Sequence, residues 1–189
     1  ISEPCTPNCI DKECGGDGCG GSCGSCTEGT CNALGVCEII TGQDCGLPTA
    51  LTVPSTGVTI SGTTVGAGNS YQATTDCLGL SFSDKGAGSN EVVFEVSVEA
   101  SGIYNFSVNG FDAAIYMRTV CEDETTCTEA VDSYGPGGVE TLSASLQPGT
   151  PIYLFIDGWD NNNNVDGDFG LAVTPTCLAD CEGKQCGSD

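Results

Sequence analysis

The chain has 189 residues, with 26 Asp and Glu against four Lys and Arg, no histidine and a formal net charge of −22. Its length allows one ordinary domain with a small module beside it. The charge repels phosphate backbones and anionic lipid, which excludes nucleic acid as a partner, and it favours divalent cations. The missing histidine removes Ser-His and Cys-His catalysis and any haem attachment of the Cys-x-x-Cys-His type.

Fifteen cysteines approach the density that marks disulfide scaffolds. They predict an oxidising compartment, extracellular or at the cell surface, with a periplasm as the other choice. No run reaches the ~18 apolar residues of a membrane helix, so no membrane insertion is expected. The sequence begins at Ile1 without a charged-then-apolar leader, and any signal peptide is expected to have been removed or omitted.

Residues 1–44 form a cysteine-rich module carrying Cys5, Cys9, Cys14, Cys19, Cys23, Cys26, Cys31 and Cys37. A segment so rich in glycine cannot bury an apolar core, so covalent staples must hold it. Eight cysteines allow four disulfides in about 105 pairings, and spacing alone does not choose among them. The rival reading is zinc, because Cys23-Gly-Ser-Cys26 has the spacing of a zinc knuckle.

Residues 45–176 read as a β domain. Ser, Thr, Gly and Val dominate 45–75, which predicts short strands and turns. In 91–99, Val92, Phe94, Val96 and Val98 alternate with Glu91, Val93, Glu95, Ser97 and Glu99, a half-buried strand with one wet face. Tyr104, Phe106 and Val108 then face one way, and Asn105, Ser107 and Asn109 the other. "FDAAIYMRTV" follows as a strand, "VETLSASL" alternates again, and "TPIYLFID" is apolar on both faces, as a central strand is. Phe169, Leu171 and Val173 close the series in phase. The fold class expected is all-β: a jelly-roll-like β-sandwich behind an N-terminal disulfide-rich, loop-dominated module. Cys121 and Cys127 enclose a five-residue loop that predicts a local bridge, which leaves Cys45 with Cys77 as the second pair.

Residues 177–189 begin the opening module again. Cys177, Cys181 and Cys186 repeat the Cys-x3-Cys-x4-Cys-Gly spacing of Cys5, Cys9 and Cys14, a period of 172 residues (177 minus 5).

The line from Gly102 to Val173 resembles the bacterial pre-peptidase C-terminal domain. The matching positions are Gly102, Tyr104, Phe106, Phe111, Asp112, Arg118, Tyr153, Asp157, Gly158, Phe169, Leu171 and Val173. The resemblance covers roughly residues 76–175 and departs from the family in the long Asn-rich insertion between Gly158 and Phe169. It implies a jelly-roll-like sandwich without catalysis of its own, appended to secreted enzymes or repeated in surface proteins. The opening module resembles cysteine repeats of large secreted proteins of deltaproteobacteria.

Chemistry concentrates in "DGWDNNNNVDGDFG". Asp160, Asn162, Asn164, Asp166 and Asp168 recur at every second position, and a curled loop can aim such oxygens at one calcium ion. Asp112 and Asp157 are candidate additional ligands from neighbouring strand ends. The alternative is a solvated hairpin loop in which Asn and Asp take turn conformations. Trp159, the only tryptophan, is a candidate for stacking on a sugar ring or for capping the end of the sandwich. Glu122, Asp123 and Glu124 are adjacent solvated charges rather than a glycosidase pair.

The expected function is therefore non-enzymatic: a secreted structural protein, the repeat unit or subunit of an extracellular fibre or surface array, joined head-to-tail to other copies of itself. The alternatives are a calcium-dependent module that binds polysaccharide, and a non-catalytic appendage of a secreted peptidase.

Overall fold

The structure is a computed structural model that describes residues 5–25, 30–31, 34–38, 41–77, 86–159 and 165–178. The chain divides into two compact units, Ile1–Thr41 and Gly42–Asp189.

Covalent bonds hold the first unit. Among its described residues, Cys14 is the one buried apolar side chain. Cys5 bonds to Cys19, Cys9 to Cys23 and Cys14 to Cys31, three interleaved bridges that each span 14 to 17 residues. Loops of that length give each bridge about 3 kcal/mol of chain-entropy stabilisation. The strands are short: β1 (Gly15–Gly16) pairs with β2 (Ser22–Gly24), and β3 (Thr30–Cys31) with β4 (Cys37–Glu38). Asp17 organises the turn between β1 and β2. Its Oδ1 accepts hydrogen bonds from the amides of Cys19 at 2.7 Å and Gly21 at 2.8 Å, which hold its carboxyl below the usual value. Cys26 lies outside the described residues, as does the side chain of Cys37.

The second unit is a β-sandwich. Its strands are β5 (Thr49–Val53), β6 (Val58–Thr63), β7 (Val92–Val98), β8 (Gly102–Asn109), β9 (Ala113–Arg118), β10 (Cys127–Val131), β11 (Val139–Leu146), β12 (Ile152–Gly158) and β13 (Asp168–Leu178). They form a five-stranded sheet in the order β10-β9-β12-β7-β5 and a four-stranded sheet in the order β11-β8-β13-β6. The strand alternation explains the core between them. Tyr104, Phe106 and Val108 of β8 and Phe169, Leu171 and Val173 of β13 point inward from one sheet. Phe94, Val96, Ile115, Met117, Leu154 and Ile156 meet them from the other. β12 is the middle strand of its sheet, as its apolar character on both faces requires.

Two pairings join distant parts of the chain. β6 pairs with β13 from Val58↔Val173 to Thr63↔Asp168, and β5 lies parallel to β7 from Thr49↔Phe94 to Val53↔Val98. β13 runs on past the sandwich positions expected from the sequence, with Cys177 opposite Ile103 and Leu178 opposite Gly102.

The structure corrects the wet face expected for 91–99 in its first half, while Glu95 and Ser97 stay half-exposed and Glu99 exposed. Val93 and Glu91 are both fully buried. A second, smaller core covers the outer face of the five-stranded sheet. There Val93, Tyr116, Ala130 and Phe155 pack with Ala73, Tyr71 and the cysteines 45, 77, 121 and 127. The irregular segment after β6 crosses to this face and docks through the Gly68↔Glu91 bridge.

The expected cysteine pairs are also corrected. Cys45 bonds to Cys121 and Cys77 to Cys127, spanning 76 and 50 residues. The 121–127 loop needs no bridge of its own, because a 3-10 turn at Glu124–Thr126 closes it. Asp123 caps that turn by accepting from the Thr125 amide at 3.0 Å, and Thr126 N donates to Asp123 O at 3.1 Å. Both sulfurs are thereby left to staple the covering segments to the sheet.

Arg118, 2% exposed, stands in the centre of this second core. Its guanidinium lies 4.7 Å from the ring centroid of Phe155, 5.5 Å from Tyr116 and 5.6 Å from Tyr71, within cation–π range. Nη1 donates to Cys121 O at 3.1 Å and Nη2 to Gln72 O at 2.8 Å. One cation thus ties the covering segment, the 119–126 loop and three aromatic rings together.

Two carboxylates share the region. Glu91 Oε1 accepts from the amides of Ser70 at 2.7 Å and Tyr71 at 3.2 Å, and Asp157 Oδ2 accepts from Tyr116 Oη at 3.3 Å. Gly86, at φ +89°, lies so close over Asp157 that a Cβ there would collide with the carboxylate. Glu91 Oε2 and Asp157 Oδ1 are buried without a hydrogen-bond partner. Burial pushes the Glu91 carboxyl up to about 7, against the pull of its two amide donors and Arg118. Burial, with the Glu91 charge added to it, pushes Asp157 well above the carboxylate range.

Two predictions follow from this outer core. Proteolytic mapping without reductant is expected to join the peptides of Cys45 with Cys121 and Cys77 with Cys127. Replacing Cys77 and Cys127 together by serine should cost about 4 kcal/mol in a denaturant titration, from the entropy of the 50-residue loop. The second concerns pH. A carboxyl with a raised folded-state pKa binds its proton more tightly when folded. Its stabilising contribution is full below the ordinary value of 4.5 and is lost as pH rises to about 7. The melting temperature should therefore climb as the buffer is taken from about pH 8 to about pH 5, and Glu91→Gln should flatten that slope. An unchanged slope in the variant assigns the effect elsewhere.

Candidate functional site

Three loops at one end of the sandwich build a cavity of about 260 Å³, lined by Asp112, Asp132, Ser133, Tyr134, Gly135 and Trp159. Asp112 comes from the β8–β9 connection, Asp132 to Gly135 from the β10–β11 connection, and Trp159 from the position just after β12.

Each wall is fixed by backbone hydrogen bonds. The Trp159 amide donates to Asp112 O at 3.2 Å, which joins two of the loops. The third is held by Glu140, a β11 side chain that is 2% exposed. Its carboxylate accepts from the Ser133 amide through both oxygens, at 2.9 and 3.0 Å, and from the Tyr134 amide at 2.5 Å. Gly138 N donates to Gly135 O at 2.9 Å to close the turn, and a Cβ at Gly138 would lie 2.3 Å from Tyr134 Cβ. The aromatic rings stay accessible: Tyr134 is 61% exposed and Trp159 39%. Both residues border the cavity and belong to neither apolar core.

The candidate residues from the sequence are distributed over separate places. Trp159 and Asp112 meet in this cavity. Asp157 is buried in the outer core, under Gly86 and against Tyr116. Asp166 Oδ2 accepts from Asn90 Nδ2 at 3.1 Å, which ties the 165–168 stretch to the loop before β7. Asp168 opens β13 and borders a shallow depression on the outer face of the four-stranded sheet with Ser61, Thr63, Asn109 and Gly170. Asp160, Asn162 and Asn164 lie outside the described residues. Among the described residues, no three His, Cys, Asp or Glu side chains converge on one point.

Sequence reasoning missed Tyr134 and Asp132, and Glu140 behind them. The signal was the string "DSYGPGG", in which a bulky ring sits in a loop of turn formers between two strands. That is the same anomaly that singled out Trp159.

The bridges place the chain in an oxidising compartment, outside the cell or in a periplasm. No helix among the described residues is long and apolar enough to cross a membrane.

No family model matches the chain, and no curated protein matches it. Two solved structures are loosely similar in fold. One is the pre-peptidase C-terminal domain of collagenase from Bacillus anthracis, at 18% identity and a TM-score of 0.38, covering 67% of this chain and 96% of that one. The other is PliG of Aeromonas hydrophila, a periplasmic inhibitor of g-type lysozyme, at 11% identity and a TM-score of 0.36, covering 67% of this chain and 99% of that one.

Proposed function

We propose that the chain is a non-catalytic extracellular building block, in which stapled modules join β-sandwiches head-to-tail into a fibre or surface array. The observation that carries this reading is the repeat at 177–186 set against the end of β13. The last strand of the sandwich reaches Cys177 without an intervening loop, and Cys177 corresponds in spacing to Cys5.

The bridge pattern of the first module supports the reading. Cys5, Cys9 and Cys14 bond to Cys19, Cys23 and Cys31, all later in the same module. Cys177, Cys181 and Cys186 repeat the spacing of those first three cysteines. Calcium at 160–168 belongs to this reading as a second stiffener, since ligand bound only by the folded loop adds to stability.

The test is oligomeric state under oxidation. Residues 1–189 folded in a glutathione buffer are expected to associate through the 177–189 segment and the first module, and to sediment as species larger than a monomer. The triple replacement of Cys177, Cys181 and Cys186 by serine should stay monomeric with an unchanged melting temperature. A monodisperse monomer of the unaltered sequence at micromolar concentration would sink the reading and favour an appendage. In the same preparations, millimolar calcium should raise the melting temperature, and replacing Asp160, Asn162 and Asn164 together by serine should abolish the rise.

A further inference from the structure

We propose that the furrow over Gly170, on the outer face of the four-stranded sheet, holds a sugar ring of a neutral polysaccharide through Asn109, Ser61 and Asp168. The site needs no metal and stands independently of how the units are joined.

Strand alternation aims these groups outward. Val108, Phe169 and Leu171 point into the core, so Asn109, Asp168 and Gly170 face solvent. The registers set Asn109, Gly170 and Ser61 in one row across β8, β13 and β6, with Thr63 and Asp168 paired in the next row. Gly170 leaves a gap in its row. A Cβ there would lie 2.8 Å from Asn109 Oδ1, so the carboxamide leans across the gap. The result is an open depression of about 640 Å³, bordered by Ser61, Thr63, Asn109, Asp168 and Gly170.

Other polar side chains on this face are engaged within the protein. Ser143 Oγ donates to Asn105 Oδ1 at 2.6 Å, Ser107 and Thr141 share a hydrogen bond of 3.1 Å, and Thr63 Oγ1 donates to Gly167 O at 3.3 Å. The side chains of Ser61, Asn109 and Asp168 have no such partner among the described residues. Their donors and acceptors are left for a ligand.

The chemistry they offer is that of a polyhydroxyl ligand. A carboxylate only accepts, whereas a carboxamide and a hydroxyl both donate and accept. Sugar hydroxyls also do both, so they match all three. An anion is repelled by Asp168 and by the net charge of −22. Calcium needs six to eight oxygens, and one carboxylate stands here. Asp168 is the only charged residue at the described outward positions of β6, β8, β11 and β13. A neutral chain can therefore run on beyond the furrow without covering further charge. A second copy of the protein fits less well. Four strands about 4.8 Å apart and three rows about 6.8 Å apart make a face of roughly 400 Å², about half of the ~800 Å² that each partner gives to a stable complex.

The test is amide chemical-shift mapping on the isotope-labelled full chain in the presence of EDTA. The probes are dextran, cellohexaose and chitohexaose, with polygalacturonate as the anionic counterpart. Saturable shifts at Ser61, Asn109 and Gly170 are expected with at least one neutral probe, and none with polygalacturonate. The neutral probe that gives them identifies the sugar. Asp168→Asn and Asn109→Ala should each weaken binding by about tenfold, with the melting temperature unchanged. Gly170→Val fills the gap and should abolish binding, while Ser143→Ala, on the same face beyond the furrow, should leave it unaltered. Should the valine variant fail to fold, the Asp168 and Asn109 variants still decide. The proposal is overturned by silence from every neutral probe, or by polygalacturonate binding as tightly as they do. Shifts centred on Trp159 instead would move the sugar to the loop cavity. Shifts at the furrow that grow with protein concentration, without glycan, would give the face to a second copy.

Discussion

The sandwich depends on how its five-stranded sheet is covered on the side away from the main core, and that cover depends on Arg118. The guanidinium is the only arginine head group in the chain, and it is buried among Tyr71, Tyr116 and Phe155. A cation in such a place is expensive unless hydrogen bonds and rings replace water. The carbonyls of Gln72 and Cys121 supply the hydrogen bonds, and each belongs to a segment without regular structure. Removing the guanidinium would leave both carbonyls and Glu91 without their positive neighbour. The bridge Cys45–Cys121 fastens the second of these segments covalently, and Cys77–Cys127 ties the first to β10. Charge and covalency thus act on one layer, which has too few apolar residues to hold itself.

How much of this was legible in the sequence follows from what alternation encodes. A period of two tells which side chains share a face, and it placed Tyr104, Phe106, Val108, Phe169, Leu171 and Val173 correctly in the core. It does not tell what lies over the other face. Glu91 and Val93 read as wet because the segment that buries them contributes only Tyr71, Ala73 and Cys77, with no run of its own to announce it. The cysteine pairs were misread for a related reason. Nearness in sequence suggests a bond only if nothing else closes the loop, and the Asp123 cap closes it. At the candidate site, Trp159 and Asp112 were visible as residues out of keeping with their surroundings, whereas Tyr134 hid in a string that reads as a turn. Their meeting depends on three connections converging at one end of the sandwich, which no local pattern records.

The two units meet the same requirement by different means. The sandwich buries large side chains such as Phe106, Phe155 and Tyr116 completely, each contributing about 1.5–3 kcal/mol on the area scale. The first module has no such residues among those described and replaces packing with three interleaved bridges. Its conformation is therefore conditional on oxidation in a way the sandwich core is not. The negative charge fits both solutions, because neither a bridge nor an apolar core needs surface ion pairs, and the acids are left to keep the molecule soluble.

The pairing of β6 with β13 has a consequence for the time at which the molecule comes into being. β6 has no sheet neighbour among the described strands other than β13, whose partner residues lie more than a hundred positions later. β13 also divides β6 from β8, so the four-stranded sheet stays in two pieces until this last strand is inserted. Until β13 is placed, that layer lacks the strand that joins its two pieces. Long-range closure of this kind is slow. Closure of that layer is thus expected to follow the pairing of the five-stranded sheet, whose strands all lie between Thr49 and Gly158.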